Sequence, residues 1–342
     1  MDTPAPDRLP TLADVAARAG VSTATVSRCL NDPARVQKAT RQKITEAVTA
    51  LGYSPNFGAR ALAAKRTDTI GAIIPTLDNS IFARGLQAFQ SALVDHGMTL
   101  LLASSSFRPD LEAAQIRTLV ARGADGLMLI GHERDPALYD FLERQGVPVL
   151  VSWVHAPEQP RASVGFDNRA AMTAMAHAVI DRGHRRLATI SGYTQANDRT
   201  RDRVAGIRDA MVDRGLNPGT LQVVETHYGI ETGARAFSQV MGNEQPPTAV
   251  ICGNDLLALG AMRQARRLGL SVPGDVSVTG FDDMELSSIA DPPLATVRIP
   301  HAEMGTQAAG MLTQMVRGGA RPESVALPCD LCLRASLGPV PG

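Results

Sequence analysis

Thr11-Leu-Ala-Asp-Val-Ala-Ala-Arg-Ala-Gly-Val-Ser-Thr-Ala-Thr-Val-Ser-Arg-Cys-Leu-Asn-Asp-Pro33 holds two helix starts and two helix stops in quick succession. Thr11 and Asp14 stand at capping-box spacing, the hydroxyl and the carboxylate each answering a free N–H at a helix start. Leu12, Val15, Ala16 and Ala19 recur at helical spacing, and Gly20 supplies a tight exit. A second start falls at Ser22, with Val26 and Leu30 on one face and Asn31-Asp32-Pro33 as the stop. A third helix is predicted from about Thr40 to Leu51, striped by Ile44, Val48 and Leu51 and followed by Gly52. Two short helices separated by Ala19-Gly20-Val21 make a helix-turn-helix. The open positions of the second helix carry short hydroxyls and Arg28. Hydroxyls and helix N-terminal amides bond phosphate oxygens, and an arginine can reach a guanine edge.

Charge agrees with that reading once its distribution is considered. The whole chain of 342 residues has 34 Lys+Arg against 34 Asp+Glu. Through Arg66, however, ten cations face five acids, so the first fifth carries +5 and the remainder −5. A basic end on an acidic body suits a DNA-binding appendage. The early residues, with three prolines and two aspartates, lack the apolar run of a secretory signal, and no stretch approaches the ~18 apolar residues of a membrane span. A cytoplasmic protein with no membrane partner is expected. Cys29, Cys252, Cys329 and Cys332 make no disulfide framework for this length, and Cys329-Asp-Leu-Cys332 lacks further ligands for zinc, so neither a metal nor a cofactor is expected.

From Thr67 onward apolar runs alternate with amphipathic stretches. Predicted strands are Ile70–Ile74, Thr99–Leu102, Gly126–Ile130, Pro148–Val151, Leu187–Ile190, Leu221–Val224, Ala249–Cys252 and Val276–Thr279. Helices such as Ile81–His96, Leu111–Arg122, Asn168–Arg182 and Asp255–Leu268 lie between them. This βαβα order predicts doubly wound parallel sheets, and the strand count suits two α/β lobes with a cleft between them. Ligands of such sheets sit at the carboxyl ends of strands. Asn79 and Phe82 follow the first strand and offer a sugar both polar groups and an apolar face. His132 follows the third strand and Trp153 the fourth, and Tyr228 begins a later loop. His184, in Arg182-Gly-His-Arg-Arg186, reads as a surface turn.

Thr11-Leu-Ala-Asp-Val-Ala, Gly20-Val-Ser, Thr25-Val-Ser-Arg28 and Asn31 resemble the headpiece signature of the lac repressor (LacI/GalR) family. Thr40-Arg, Leu51-Gly-Tyr53-Ser-Pro-Asn56 and Ala59-Arg-Ala-Leu62-Ala are similar to its hinge region. The resemblance implies an all-α helix-turn-helix headpiece over 1–55 and a hinge helix over 56–66. A two-lobed core like that of periplasmic sugar-binding proteins then fills 67–342, with lobe one at about 67–162 and 293–322 and lobe two at about 163–292 and 323–342. It places Thr23, Ala24 and Arg28 at base-reading positions. Leu12, Ser22, Thr25, Ser27, Asn31, Thr40 and Tyr53 fall at further DNA-contact positions. Ala24 has only apolar contact to offer a base, for instance a thymine methyl. Asn56, Ala59 and Leu62 share one side of the short hinge helix, which needs DNA or a partner hinge to be stable. Leu62 would be an apolar wedge at a base step.

In the core the resemblance marks Arg203, Asn254 and Asp282 as pocket positions. Asn254 also suits a helix cap and Asp282 a turn, but their recurrence at successive strand ends favours a site. The implied function is an allosteric transcription regulator, most simply a repressor. Its partners would be near-palindromic operator DNA, a small sugar or sugar-acid effector and a second copy of the chain, since no leucine heptads follow Leu337. Pro75-Thr-Leu-Asp-Asn79 and Val164-Gly-Phe-Asp-Asn168 look most like the gluconate-repressor branch, which implies a sugar acid. Ile299, where the ribose-binding branch has glutamine, argues against a ribose-like ligand. A solute-binding protein would explain the core alone, though not the headpiece. An enzyme is disfavoured, because there is no phosphate-cradling glycine run, no His-x3-His pair and no activated nucleophile.

Overall fold

The computed structural model describes residues 9–54, 66–78 and 80–341. Asn56, Ala59, Leu62 and Asn79 therefore lie outside the described residues. The chain divides into two compact units, Met1–Thr67 and Asp68–Gly342.

In the first unit, helix α1 (Leu12–Ala19) begins at the capping box read from the sequence. Thr11 Oγ1 accepts from the Asp14 N–H, and the Asp14 carboxylate accepts from the Thr11 N–H at 2.8 Å. Gly20 closes the helix in a left-handed conformation, φ 66°, which glycine adopts without a Cβ penalty. Ser22 caps α2 (Thr23–Asn31), and α3 (Lys38–Leu51) starts two residues before the sequence placed it. Val15, Ala16, Ala19, Val26, Cys29, Ile44 and Ala47 bury one small core, with Leu12, Leu30 and Tyr53 packed at its margin. Each contributing face recurs at three or four residues, the spacing that puts side chains on one side of a helix.

The second unit holds two parallel sheets. Strands β1 (Thr69–Ile74), β2 (Thr99–Ser104), β3 (Gly126–Ile130), β4 (Val149–Ser152), β5 (Ser163–Gly165) and the later β11 (Val325–Ala326) run β2-β1-β3-β4-β5-β11. Strands β6 (Leu187–Ser191), β7 (Gln222–Glu225), β8 (Ala249–Cys252) and β9 (Ser277–Thr279) run β7-β6-β8-β9. Residues of β1, β3, β4, β6 and β8 are buried throughout, because helices cover both faces. On the first sheet, α4 (Ser80–Asp95) turns Ile81, Phe82, Leu86, Phe89 and Leu93 inward. It meets α12 (His301–Val316) so closely that a Cβ on Gly305 would fall on the Gly85 carbonyl. The first sheet's remaining helices are α5 (Pro109–Ala121) and α6 (Pro136–Arg144). The second lobe adds α7 (Asn168–Ile180), α8 (Asp198–Asp213), α9 (Ile230–Met241), α10 (Asp255–Arg267) and the short α11 (Glu285–Ile289).

The lobe boundaries differ from those read in the sequence. β5 pairs with β4, and β11 pairs with β5, so residues 163–165 and 325–326 belong to the first sheet. β10 (Thr296–Arg298) pairs antiparallel with β12 (Asp330–Cys332) and bridges back to Asp282, which keeps it with the second lobe. Each crossing falls a few residues later than expected, because the crossing strands complete hydrogen bonding in the lobe they are leaving. His184 is not a surface turn. It is fully buried, with Nδ1 3.0 Å from Thr248 Oγ1 and Nε2 donating to the Gly338 carbonyl at 3.2 Å, under the C-terminal segment.

One carboxylate ties a crossing to the second lobe. Asp255, fully buried at the start of α10, accepts from the Met284 N–H at 2.7 Å and from the Ser287 and Thr296 hydroxyls at 2.6 Å each. Replacing it removes the shared acceptor of three buried donors. Asp255→Ala is expected to cost about 3 kcal/mol or more and to lower the core's thermal midpoint by roughly 5 °C or more, as read by calorimetry.

Candidate functional site

The sequence-derived site residues that are described fall in both units. On α2, the face opposite Val26 and Cys29 is open. Ser22, Thr23, Ala24, Arg28 and Asn31 are exposed there, and Thr25 and Ser27 are half-buried. The Ser22 and Thr25 hydroxyls lie 2.9 Å apart, and Ser22 Oγ also accepts from the Thr25 N–H, so the helix start is held in one geometry. Asn31 Nδ2 reaches Ser27 Oγ at 3.4 Å. Thr40 is half-buried on α3, while Leu12 and Tyr53 divide their surface between this face and the core. The result is a narrow ridge of small side chains tipped by a guanidinium. That shape lets a helix approach base edges in a groove.

In the second unit, strand order reverses between β1 and β3 and between β6 and β8, and the segments leaving those strands face one another across a cleft. Backbone strain gathers there. Non-glycine residues with positive φ include Ser106 and Phe107 after β2, Trp153 after β4, Ala196 after β6, and Asp282 and Asp283 after β9. Such conformations persist where the surrounding structure holds them, and they cluster at functional sites.

The cleft has an inner and an outer compartment. Phe82, Arg203, Tyr228, Asn254 and Asp282 line the inner one, so the structure gathers five of the sequence-derived residues. Arg203 Nη1 donates to the Gly253 carbonyl at 2.7 Å, and its guanidinium lies 4.5 Å from the Phe281 ring centre. Asn254 caps a helix and also lines the compartment. Its Oδ1 caps α10 by accepting from the Leu257 N–H at 2.9 Å, and its Nδ2 is left over. Among the described residues, Arg203 Nε, Asn254 Nδ2 and Asp282 Oδ2 are buried without a hydrogen-bond partner. Burial pushes the Asp282 carboxyl well above its ordinary range, although Arg203 pulls the other way.

Two sequence-derived residues sit elsewhere. Trp153 is buried behind Phe82, ring centres 5.4 Å apart, and lines neither compartment. His132 marks a contact between the lobes instead. Its N–H donates to Asp198 Oδ2 at 2.5 Å, and its carbonyl accepts from the Tyr139 hydroxyl. Arg199 Nη1 holds the other Asp198 oxygen at 2.9 Å, and Arg201 pairs with Glu133 at 2.8 Å. Gly131 makes the approach possible, since a Cβ there would fall on the Arg199 guanidinium and the Asp198 carboxylate. Burial raises the Asp198 carboxyl, but Arg199 and the His132 N–H outweigh it and hold it below the ordinary range.

Sequence reasoning missed Asn197, Arg199 and Phe107, which line both compartments. Arg199 lies four residues before Arg203, one helical turn on the same face, so the spacing contained a signal. Phe107 carried none, because a left-handed backbone aims it. Among the described residues there is no group of three or more His, Cys, Asp or Glu that could hold a metal, and no helix is long and apolar enough to cross a membrane.

A helix-turn-helix unit joined to a two-lobed core with a polar cleft defines a ligand-responsive regulator. Comparison with known proteins agrees. Residues 11–56 match the bacterial regulatory proteins of the lacI family, and residues 176–337 match a periplasmic binding protein-like domain. The HTH-type transcriptional regulator GntR of Escherichia coli (strain K12) is 34% identical over 309 residues, covering 90% of this chain and 92% of that one. The regulator MalR of Streptomyces coelicolor is 36% identical over 341 residues, covering 97% of each. The solved lac repressor dimer bound to operator and the anti-inducer ONPF matches with a TM-score of 0.85 at 28% identity, over 97% of this chain and 100% of that chain. The chain belongs to the LacI family of DNA-binding transcriptional regulators.

Burial in the core holds two imidazoles neutral. His301, beside Trp153, and His132 are each pushed down to about 4 by burial; the Asp282 backbone opposes this at His301, and Asp198 opposes it at His132. The unfolded imidazole protonates near 6.5 while the folded one resists to about 4, so these groups cost stability progressively as pH falls through that window. The thermal midpoint is expected to drop on acidification from 6.5 to 4, and His301→Phe to flatten the drop. An unchanged slope in that variant would exclude His301 as a source.

Proposed function

We propose that this chain is a transcriptional repressor that acts in the cytoplasm as a homodimer on near-palindromic operator DNA and is released by a small sugar or sugar acid bound in the cleft. It works as a switch rather than as an enzyme. Thr23, Ala24 and Arg28 read bases, and Leu12, Ser22, Thr25, Ser27, Asn31, Thr40 and Tyr53 set the helix on the DNA. Asn56, Ala59 and Leu62 belong to the hinge in this reading, and Asn79 joins the effector site.

The observation that carries the effector half is the trio Arg203 Nε, Asn254 Nδ2 and Asp282 Oδ2, buried at one compartment without partners. Leaving such groups unpaired costs on the order of 1–3 kcal/mol each, and a ligand rich in hydroxyls satisfies donors and acceptor together.

Coupling passes through the lobes. Effector that stabilises the contact of Asp198 with His132, and of Arg201 with Glu133, biases the core toward this arrangement. A differential of about 1–3 kcal/mol between two lobe arrangements is enough for a useful switch.

The test is a binding titration with DNA from upstream of the protein's own gene, at several salt concentrations. Specific binding should weaken steeply with salt. Arg28→Ala should lose roughly 5- to 150-fold in specific affinity, corresponding to about 1–3 kcal/mol for a base contact. Arg203→Ala should bind DNA normally but no longer respond to sugar. Equal affinity for operator and random DNA, with sugar binding intact, would favour a solute-binding protein instead.

A further inference from the structure

The two compartments of the cleft differ in size and in walls. The inner one, between Arg203, Asn254 and Asp282, has a volume of about 30 Å³. That is room for a water or one exocyclic group, not for a sugar ring. The outer compartment opens from it and holds about 460 Å³, within the ~300–1,000 Å³ typical of small-molecule sites.

Aromatic residues are spaced along this path in two pairs. Phe107 and Tyr228, from opposite lobes, have ring centres 5.7 Å apart and line both compartments, so they stand at the mouth of the inner one. Tyr228 is fixed there by Thr200, hydroxyl to hydroxyl at 2.8 Å. Tyr193 and His227, edge to face at 5.0 Å, line only the outer compartment and so form a second platform farther out. Phe107 and Tyr193 are 42% and 47% exposed, large aromatic surface left open at the cleft. Gln195 and Asn197 lie among these rings as hydrogen-bonding groups. Faces for stacking with amides between them suit a chain of sugar rings. One ring would use the first platform and leave the second idle.

We propose that the effector is a saccharide of at least two rings, stacked in turn on Phe107/Tyr228 and Tyr193/His227, with only a terminal polar substituent reaching Arg203. This rests on the sugar-effector reading above and extends it outward from the inner compartment. The terminal substituent can be a hydroxymethyl or a carboxylate, so the inner site alone does not distinguish a neutral from an acidic end.

The experiment titrates the full chain with glucose, gluconate, maltose, cellobiose and cytidine, within a broader panel of mono- and disaccharides. Calorimetry and the fluorescence of the lone tryptophan, Trp153 against Phe82, report binding. At least one disaccharide should bind tenfold or more tightly than its component monosaccharide. Tyr193→Ala should collapse that ratio toward one, and Phe107→Ala should weaken the disaccharide at least tenfold, with thermal unfolding showing that both variants fold. Monosaccharide binding as tight as that of every disaccharide, or a ratio unmoved by Tyr193→Ala, would overturn the two-ring inference and leave the sugar reading standing. Cytidine as the tightest ligand would likewise overturn the two-ring saccharide. If no sugar binds while operator binding persists, the sugar reading itself falls.

Discussion

A parallel strand covered by helices on both faces can present polar side chains only where it ends. β1, β3, β6 and β8 are buried along their whole length, so hydroxyls, amides and charges gather in the segments that leave their carboxyl ends. Two such sheets then need only face one another for those segments to enclose a cleft. The strained residues Phe107, Ala196 and Asp282 fall in the segments that leave β2, β6 and β9, where the chain turns sharply and still aims side chains inward.

The contacts across the cleft are unequal in strength. Glu133 and Arg201 are both substantially exposed, and a pair of that kind contributes at most about 1 kcal/mol. Asp198 is different. Its carboxylate is mostly buried between Arg199 and the His132 N–H, with good geometry on both oxygens. A carboxylate so placed is costly to strand and therefore favours one arrangement of the lobes over others. Gly131 is the steric condition for it. Arg199, which holds Asp198 in this contact, also lines both compartments of the cleft.

The inner compartment shows the complementary cost. Partners for Arg203, Asn254 and Asp282 are incomplete, and burial disfavours the charge on Asp282. A site held in this condition stores a preference for a ligand that completes its hydrogen bonds, and binding returns that free energy as stability of the liganded form. Aromatic faces stand outside it. Unpartnered polar groups thus lie deep in the cleft and aromatic faces nearer its opening.

Much of this was legible in order along the chain. The capping box at Thr11, the left-handed stop at Gly20 and the strands Gly126–Ile130 and Ala249–Cys252 stand as their local patterns indicate. Caps and hydrophobic periods act between residues a few positions apart, so the local sequence encodes them directly. Arg203, Asn254 and Asp282 were marked by the resemblance to the family's pocket, and Asn254 and Asp282 also by following strands, whose ends are local features too. Only the tertiary structure decided that Trp153 lies behind Phe82, that His132 serves the lobe contact through its backbone, and that His184 is buried against Thr248 and Gly338. It alone decided that Arg199, Phe107 and Tyr228 line the same compartments and that the crossings fall beyond β5, β10 and β11. These outcomes depend on groups far apart in sequence competing for the same space and the same hydrogen bonds, and that competition is settled only when the sheets and helices pack.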